Sequence, residues 1–149
     1  MTLSQKETSL LQDLKSQEQL CIDKYSKYES EANDACLKSL FSEIKGTEQN
    51  HLSTVNRLLN GEQVEMTSAP EKSQKFTCTP SPCSEAEKKH DAFLCKDALA
   101  MEKHVSSVYD TAIFEFSCPS TRDVLNHIQK EEQQHGEKIY DYMSQNNMY

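Results

Sequence analysis

The two halves of the chain align on one another at an offset of 84 residues: Asp13 with Asp97, Glu18 with Glu102, Tyr25 with Tyr109, Ile44 with Ile128, Glu48 with Glu132 and His51 with His135. Any two amphipathic hairpins share apolar periodicity, but Glu, Tyr, Glu and His matching at one offset goes beyond it. The fold is therefore expected to be assembled from two related units that carry the same polar residues at the same places.

Each unit reads as a pair of helices. In the first, Leu10, Leu11, Leu14, Cys21, Ile22, Tyr25 and Tyr28 recur at threes and fours, which predicts a helix from about Leu3 to Ala32. Asn33 and Asp34 offer a turn and an N-cap. A second stripe of Leu37, Leu40, Phe41, Ile44, Leu52, Val55, Leu58 and Leu59 then runs to a stop at Asn60-Gly61. In the second unit, Ser84 with Glu87 predicts a capping box opening a helix that runs to about Ser117, and Ser120 with Asp123 opens another to about Gln145. Between the units, residues 61–83 are rich in Thr, Ser and Pro and end in Cys78-Thr-Pro-Ser-Pro-Cys83, which cannot continue a helix. Only three glycines and four prolines in 149 residues suit long helices better than a many-turned sheet. The length fits one domain, residues 1–149, with the linker inside it.

The polar residues of the repeat stand where apolar ones belong. Glu18 lies in the line Leu11, Leu14, Ile22, Tyr25, and Glu48 and His51 lie between Ile44 and Val55. Glu102 interrupts Cys95, Ala98, Val105, Tyr109, and Glu132 and His135 stand between Ile128 and Ile139. Glu18 and Glu48 are each 15 residues from the turn at Asn33, so they meet at one level, about 22 Å along their helices; Glu102 and Glu132 stand equally far from Ser117. Four buried carboxylates repel one another unless protonated or neutralised by cations. One Glu from each of two helices and one Glu-x-x-His from each of the other two is the ligand set of ferritin-like dinuclear proteins, and its carboxylate-rich, one-imidazole-per-ion character suits two Fe or Mn ions. The expected architecture is accordingly an all-α, ferritin-like four-helix bundle: two antiparallel helical hairpins joined by a long crossover. Glu18, Glu48, His51, Glu102, Glu132 and His135 are the candidate metal ligands, and Tyr25 and Tyr109 are core aromatics or outer partners of those ligands. His90, His104 and His127 read as surface or boundary residues. Glu43 and Glu131 read as solvated neighbours, Glu131 being placed to add a carboxylate.

Charge and composition narrow the partners. A formal charge of −8 and no concentrated basic surface argue against nucleic acid. No stretch approaches the length of a membrane span, and the N-terminus lacks a signal-peptide pattern, so synthesis in the cytoplasm is expected. The six cysteines lack the C-x-x-C spacing of a zinc ribbon or rubredoxin.

Leu3-Ser-Gln-Lys-Glu, Asp13-Leu-Lys-Ser-Gln-Glu-Gln-Leu-Cys-Ile, Tyr109-Asp-Thr-Ala-Ile-Phe-Glu-Phe and Leu125-Asn-His-Ile-Gln-Lys-Glu-Glu-Gln-Gln-His-Gly-Glu resemble bacterial spore coat proteins of the Coat F family, over nearly the whole chain. The resemblance implies a ferritin-like bundle located in or around the spore coat, with other coat proteins as partners. It does not establish a reaction. Three functions remain open at this point: a metal-binding coat component, a dimetal oxidase or peroxidase/catalase-type enzyme acting on dioxygen or peroxide, and a metal-free structural coat protein. Cys78 and Cys83 are candidate disulfide cysteines, crosslinking to neighbours in an oxidising layer, or incidental loop thiols. The acidic helices fit a monomer or a homodimer.

Overall fold

The computed structural model describes residues 2–66 and 74–149; the middle of the expected linker, 67–73, lies outside the described residues. Four helices form, α1 Gln5–Glu31, α2 Ala35–Leu59, α3 Glu85–Glu115 and α4 Pro119–Gln145, with no strand among the described residues. Helix α1 starts two residues inside the expected Leu3, because Ser4 and Glu7 form a reciprocal capping box that satisfies the first free amides. Asp34 caps α2 by accepting from the Cys36 amide, and the Ser84–Glu87 box opens α3 as expected. Helix α4 corrects the expected start at Ser120: Pro119 occupies its first turn behind Cys118. A proline there needs no amide partner and its φ is already helical, so the helix begins before the hydroxyl-bearing residue.

Side chains place the helices. Lys6 reaches Glu115 at 2.9 Å while the Asn33 amide donates to Asp91 at 2.8 Å, so α1 and α3 run antiparallel. Lys138 meets Glu43 at 2.5 Å and the Tyr142 hydroxyl donates to Asp34 at 2.6 Å, so α2 and α4 do likewise. The apolar stripes fill the interior: Leu11, Leu14, Tyr25, Leu37, Leu40, Phe41, Ile44, Leu58, Leu125 and Ile139 are all essentially inaccessible.

Because α2 ends at the far end of the bundle from the start of α3, the connection must travel the bundle's length, about 37 Å for the 25 residues of α2. Its second part is fastened to α4. The Phe76 amide donates to Asp141 at 3.1 Å, the Gln145 side chain exchanges hydrogen bonds with Phe76 and Cys78, and the Ser81 amide donates to Asn146 at 2.9 Å. Cys78, expected as a crosslink to neighbouring chains or an incidental thiol, instead forms a disulfide within the chain, with Cys36 at the start of α2, and Cys83 stays a free thiol. The reason is topological: the crossover returns to the α1–α2 turn and brings Cys78 within a Cα separation of 6.4 Å of Cys36.

At the same end of the bundle, Asp91 is wholly buried. Its carboxylate accepts from the Asn33 amide, the Asn33 side chain and the Asp34 amide, at 2.8, 3.2 and 3.0 Å. Asp34 in turn accepts from Tyr142, so one polar chain links the α1–α2 turn to α3 and α4.

Candidate metal centre

Halfway along the bundle the four helices bring Glu18, Glu48, His51, Glu102, Glu132 and His135 together, each no more than 5% exposed. They form two overlapping groups: Glu18, Glu48, His51 and Glu132, and Glu48, Glu102, Glu132 and His135. Within each, one donor atom per residue lies within 4.8 Å of all the others. Glu48 and Glu132 are common to both. Each group has one further carboxylate and one imidazole of its own.

The repeat appears here as crossed contacts. His51 Nδ1 is 3.0 Å from Glu132 Oε1, and His135 Nδ1 is 3.0 Å from Glu48 Oε1, each histidine facing the other hairpin's carboxylate. The Tyr25 hydroxyl donates to Glu102 and the Tyr109 hydroxyl to Glu18, both at 2.5 Å. The two imidazoles stack with centroids 5.9 Å apart. Both tyrosines therefore touch ligand candidates of the opposite hairpin, filling one acceptor position on each and holding its carboxylate in place.

Several of the carboxylate oxygens have no hydrogen-bonding partner among the described residues: Glu18 Oε2, Glu48 Oε2, Glu102 Oε2 and Glu132 Oε2. Buried carboxylate oxygens left in that way are costly unless a cation or a proton meets them. In the metal-free chain the conflict is resolved by protons. Burial, then the charges of Glu132 and Glu48, pushes the Glu18 carboxyl well above the usual range, and burial with the charge of Glu132 does the same to Glu102. Burial alone would lower His51, but its hydrogen bonds to Glu131 and Glu132 and its contact with Glu48 outweigh that and hold it well above an ordinary imidazole. Burial also opposes the charged form of His135, and the charge and contact of Glu102, with contacts to Glu132 and Glu48, raise it. Glu132 goes the other way: burial would raise it, but hydrogen bonds from Glu102, His135 and His51 keep it ionised well below the usual range. Tyr25 and Tyr109, raised by burial and by Glu102 and Glu18 respectively, stay protonated as donors.

Glu131 is not among the ligand atoms of either group. It faces Nε2 of His51 at 3.1 Å and Nε2 of His127 at 3.3 Å, on the far side of the His51 ring from the carboxylates. Hydrogen bonds from His51, opposed by burial, lower Glu131, which makes it an anionic prop behind that ring. Glu43 pairs with Lys138 outside the core, and His90 and His104 are exposed. Asp91, in the second turn of α3, joins Asp34 in a buried polar network that apolar periodicity did not single out, Asp34 having read only as a cap.

Fold and centre define a class: a four-helix bundle whose core is a paired carboxylate–histidine cluster able to hold metal ions. Residues 90–149, from the second turn of α3 through α4, match the family model of the Coat F domain. No curated protein and no solved structure matches the chain. No helix among the described residues is long and apolar enough to cross a membrane.

Proposed function

We propose that this is a spore coat-associated protein whose ferritin-like bundle binds a dinuclear Fe or Mn centre through Glu18, Glu48, His51, Glu102, Glu132 and His135. The observation that carries the reading is the set of unpartnered buried oxygens on Glu18, Glu48, Glu102 and Glu132, gathered in two overlapping four-residue groups. Glu48 and Glu132 would be shared between the ions, with Glu18 and His51 serving one and Glu102 and His135 the other. Oxygen-rich donors with a single imidazole apiece favour Fe or Mn over metals that prefer thiolate. Two such ions neutralise the carboxylates and bind the hairpins to one another, since each group takes residues from both. Tyr25 and Tyr109 orient Glu102 and Glu18, and Glu131 orients His51.

The Coat F match supports a place in or around the spore coat with other coat proteins as partners. With Cys78 engaged to Cys36, the partly exposed thiols of Cys83 and Cys118 are the ones open to covalent contact there.

Elemental analysis of the full chain after reconstitution with Fe(II) or Mn(II) tests the centre. About two ions per chain are expected, with binding lost in Glu48→Ala/Glu132→Ala. If a folded wild-type chain retains no metal after reconstitution, the protein is a metal-free structural bundle instead.

A second reading, a dimetal oxidase or peroxidase/catalase-type enzyme, is favoured by a cleft between α3 and α4 whose lining includes both Glu102 and Glu132. Such ions, when bound, supply electrons and Lewis acidity for chemistry on dioxygen or peroxide. Peroxide consumption by the loaded protein, absent from Glu132→Ala, would support this reading; no turnover at confirmed occupancy would sink it.

A further inference from the structure

The pairing of the two hairpins is close at the centre and breaks down beside it. On the α3–α4 side a cleft of about 540 Å³ is lined by Leu99, Lys103, Ser106, Gln129 and Gly136 and reaches Glu102 and Glu132. Through the repeat, Ser106 corresponds to Ile22 and Gly136 to Leu52. The first hairpin thus carries two branched aliphatic side chains where the second carries a hydroxymethyl group and a hydrogen atom. Ile22 is buried and Leu52 partly so, whereas Ser106 and Gly136 both face the cleft. A Cβ added at Gly136 would meet only Leu99, at 3.8 Å, so the space beside that helix is open beyond the first carbon.

We propose that the α3–α4 cleft is the route by which a small uncharged ligand reaches the metal centre, arriving at the ion served by Glu102 and His135. This rests on the dinuclear reading and adds a direction to it: the two ions, alike in their protein donors, differ in access. Several features favour an uncharged occupant. Besides Glu102 and Glu132, whose charge the ions would offset, the lining holds one cation and one anion, Lys103 and Asp110. Its remaining polar groups are neutral hydroxyls and amides, and the Gln129 side chain is already engaged with the Ser106 carbonyl at 3.0 Å. Such a lining offers a free cation or anion little net attraction.

Nitric oxide, a neutral diatomic reporter of ferrous iron, provides the test. Wild type, Gly136→Leu and Ser106→Ile are loaded with Fe(II), their metal content is measured, and the rate of nitric oxide binding is followed by stopped-flow absorbance. Both substitutions copy what the first hairpin already carries at the related helical position, so the helices should accept them. The expected result is unchanged iron content with binding slowed by about tenfold or more, equivalent to at least 1.36 kcal/mol on the barrier. Equal binding rates at equal iron content would overturn the route. So would a slower uptake of Mn(II) with nitric oxide binding unchanged, which would make the cleft a cation path. Should Gly136→Leu lose iron, Ser106→Ile decides alone. Failure of wild type to hold iron is a separate result and overturns the dinuclear reading itself.

Discussion

His51 and His135 occupy related positions, but what stands behind each ring differs. Glu131 faces Nε2 of His51 at 3.1 Å, whereas its counterpart in the repeat is Thr47, whose hydroxyl turns back to the Glu43 carbonyl of its own helix. An anionic acceptor behind a ligating imidazole fixes the ring and raises its basicity. Glu131→Gln should therefore weaken metal binding at the His51 side by about tenfold or more, while Thr47→Ala leaves affinity as it was. Competition with a chelating dye measures this, and equal affinities in wild type and Glu131→Gln would remove Glu131 from that role. The candidate ligands were legible in the sequence because a charged residue in an apolar stripe is costly and conspicuous. The role of Glu131 was not, because it depends on the reach of a side chain on α2 toward α4. Tyr25 and Tyr109 read as core aromatics or outer partners of the ligands, but that each bonds a carboxylate of the other hairpin is something periodicity within a helix cannot register.

At the scale of elements, the helices follow from patterns that act over a few residues: a capping box at Ser84, an aspartate cap at Asp34, apolar repeats at threes and fours. What ties their ends together does not. Asp91 holds the α1–α2 turn by three hydrogen bonds, two of them to backbone amides, from a position 57 and 58 residues away in the chain. Replacing it by Ala leaves those donors facing a protein interior, and Asp91→Ala is expected to cost about 2–4 kcal/mol. Urea unfolding read by circular dichroism checks this; a loss below about 0.5 kcal/mol, the level of an ordinary surface change, would mean that the turn is held by its own geometry. The disulfide was illegible for a related reason. Nothing local in the sequence pairs Cys78 with Cys36, at a sequence separation of 42; only the crossover brings them together.

For the molecule as a whole, the centre couples stability to pH in opposite senses with and without metal. In the metal-free chain His51 and His135 lie above the ordinary imidazole value of 6.5. Their contribution is complete below that value and disappears as pH rises through their folded values. Glu18 and Glu102, raised above the ordinary 4.5, act in the same sense, while Glu132, lowered, contributes above 4.5 and loses its part only as pH falls. The metal-free protein should therefore lose thermal stability as pH rises above 6.5, whereas the loaded protein should gain it as protons cease to compete for the ligands. Parallel melting curves with and without metal test this, and identical slopes would show that the cluster does not set the pH response. Half a centre cannot do this work. The Coat F match begins at His90 and brings Glu102, Glu132 and His135, but each of the two groups needs a carboxylate from the other hairpin. The matched segment and the four-helix cluster have different borders, and a lone second hairpin would have to meet another hairpin before it could assemble either group.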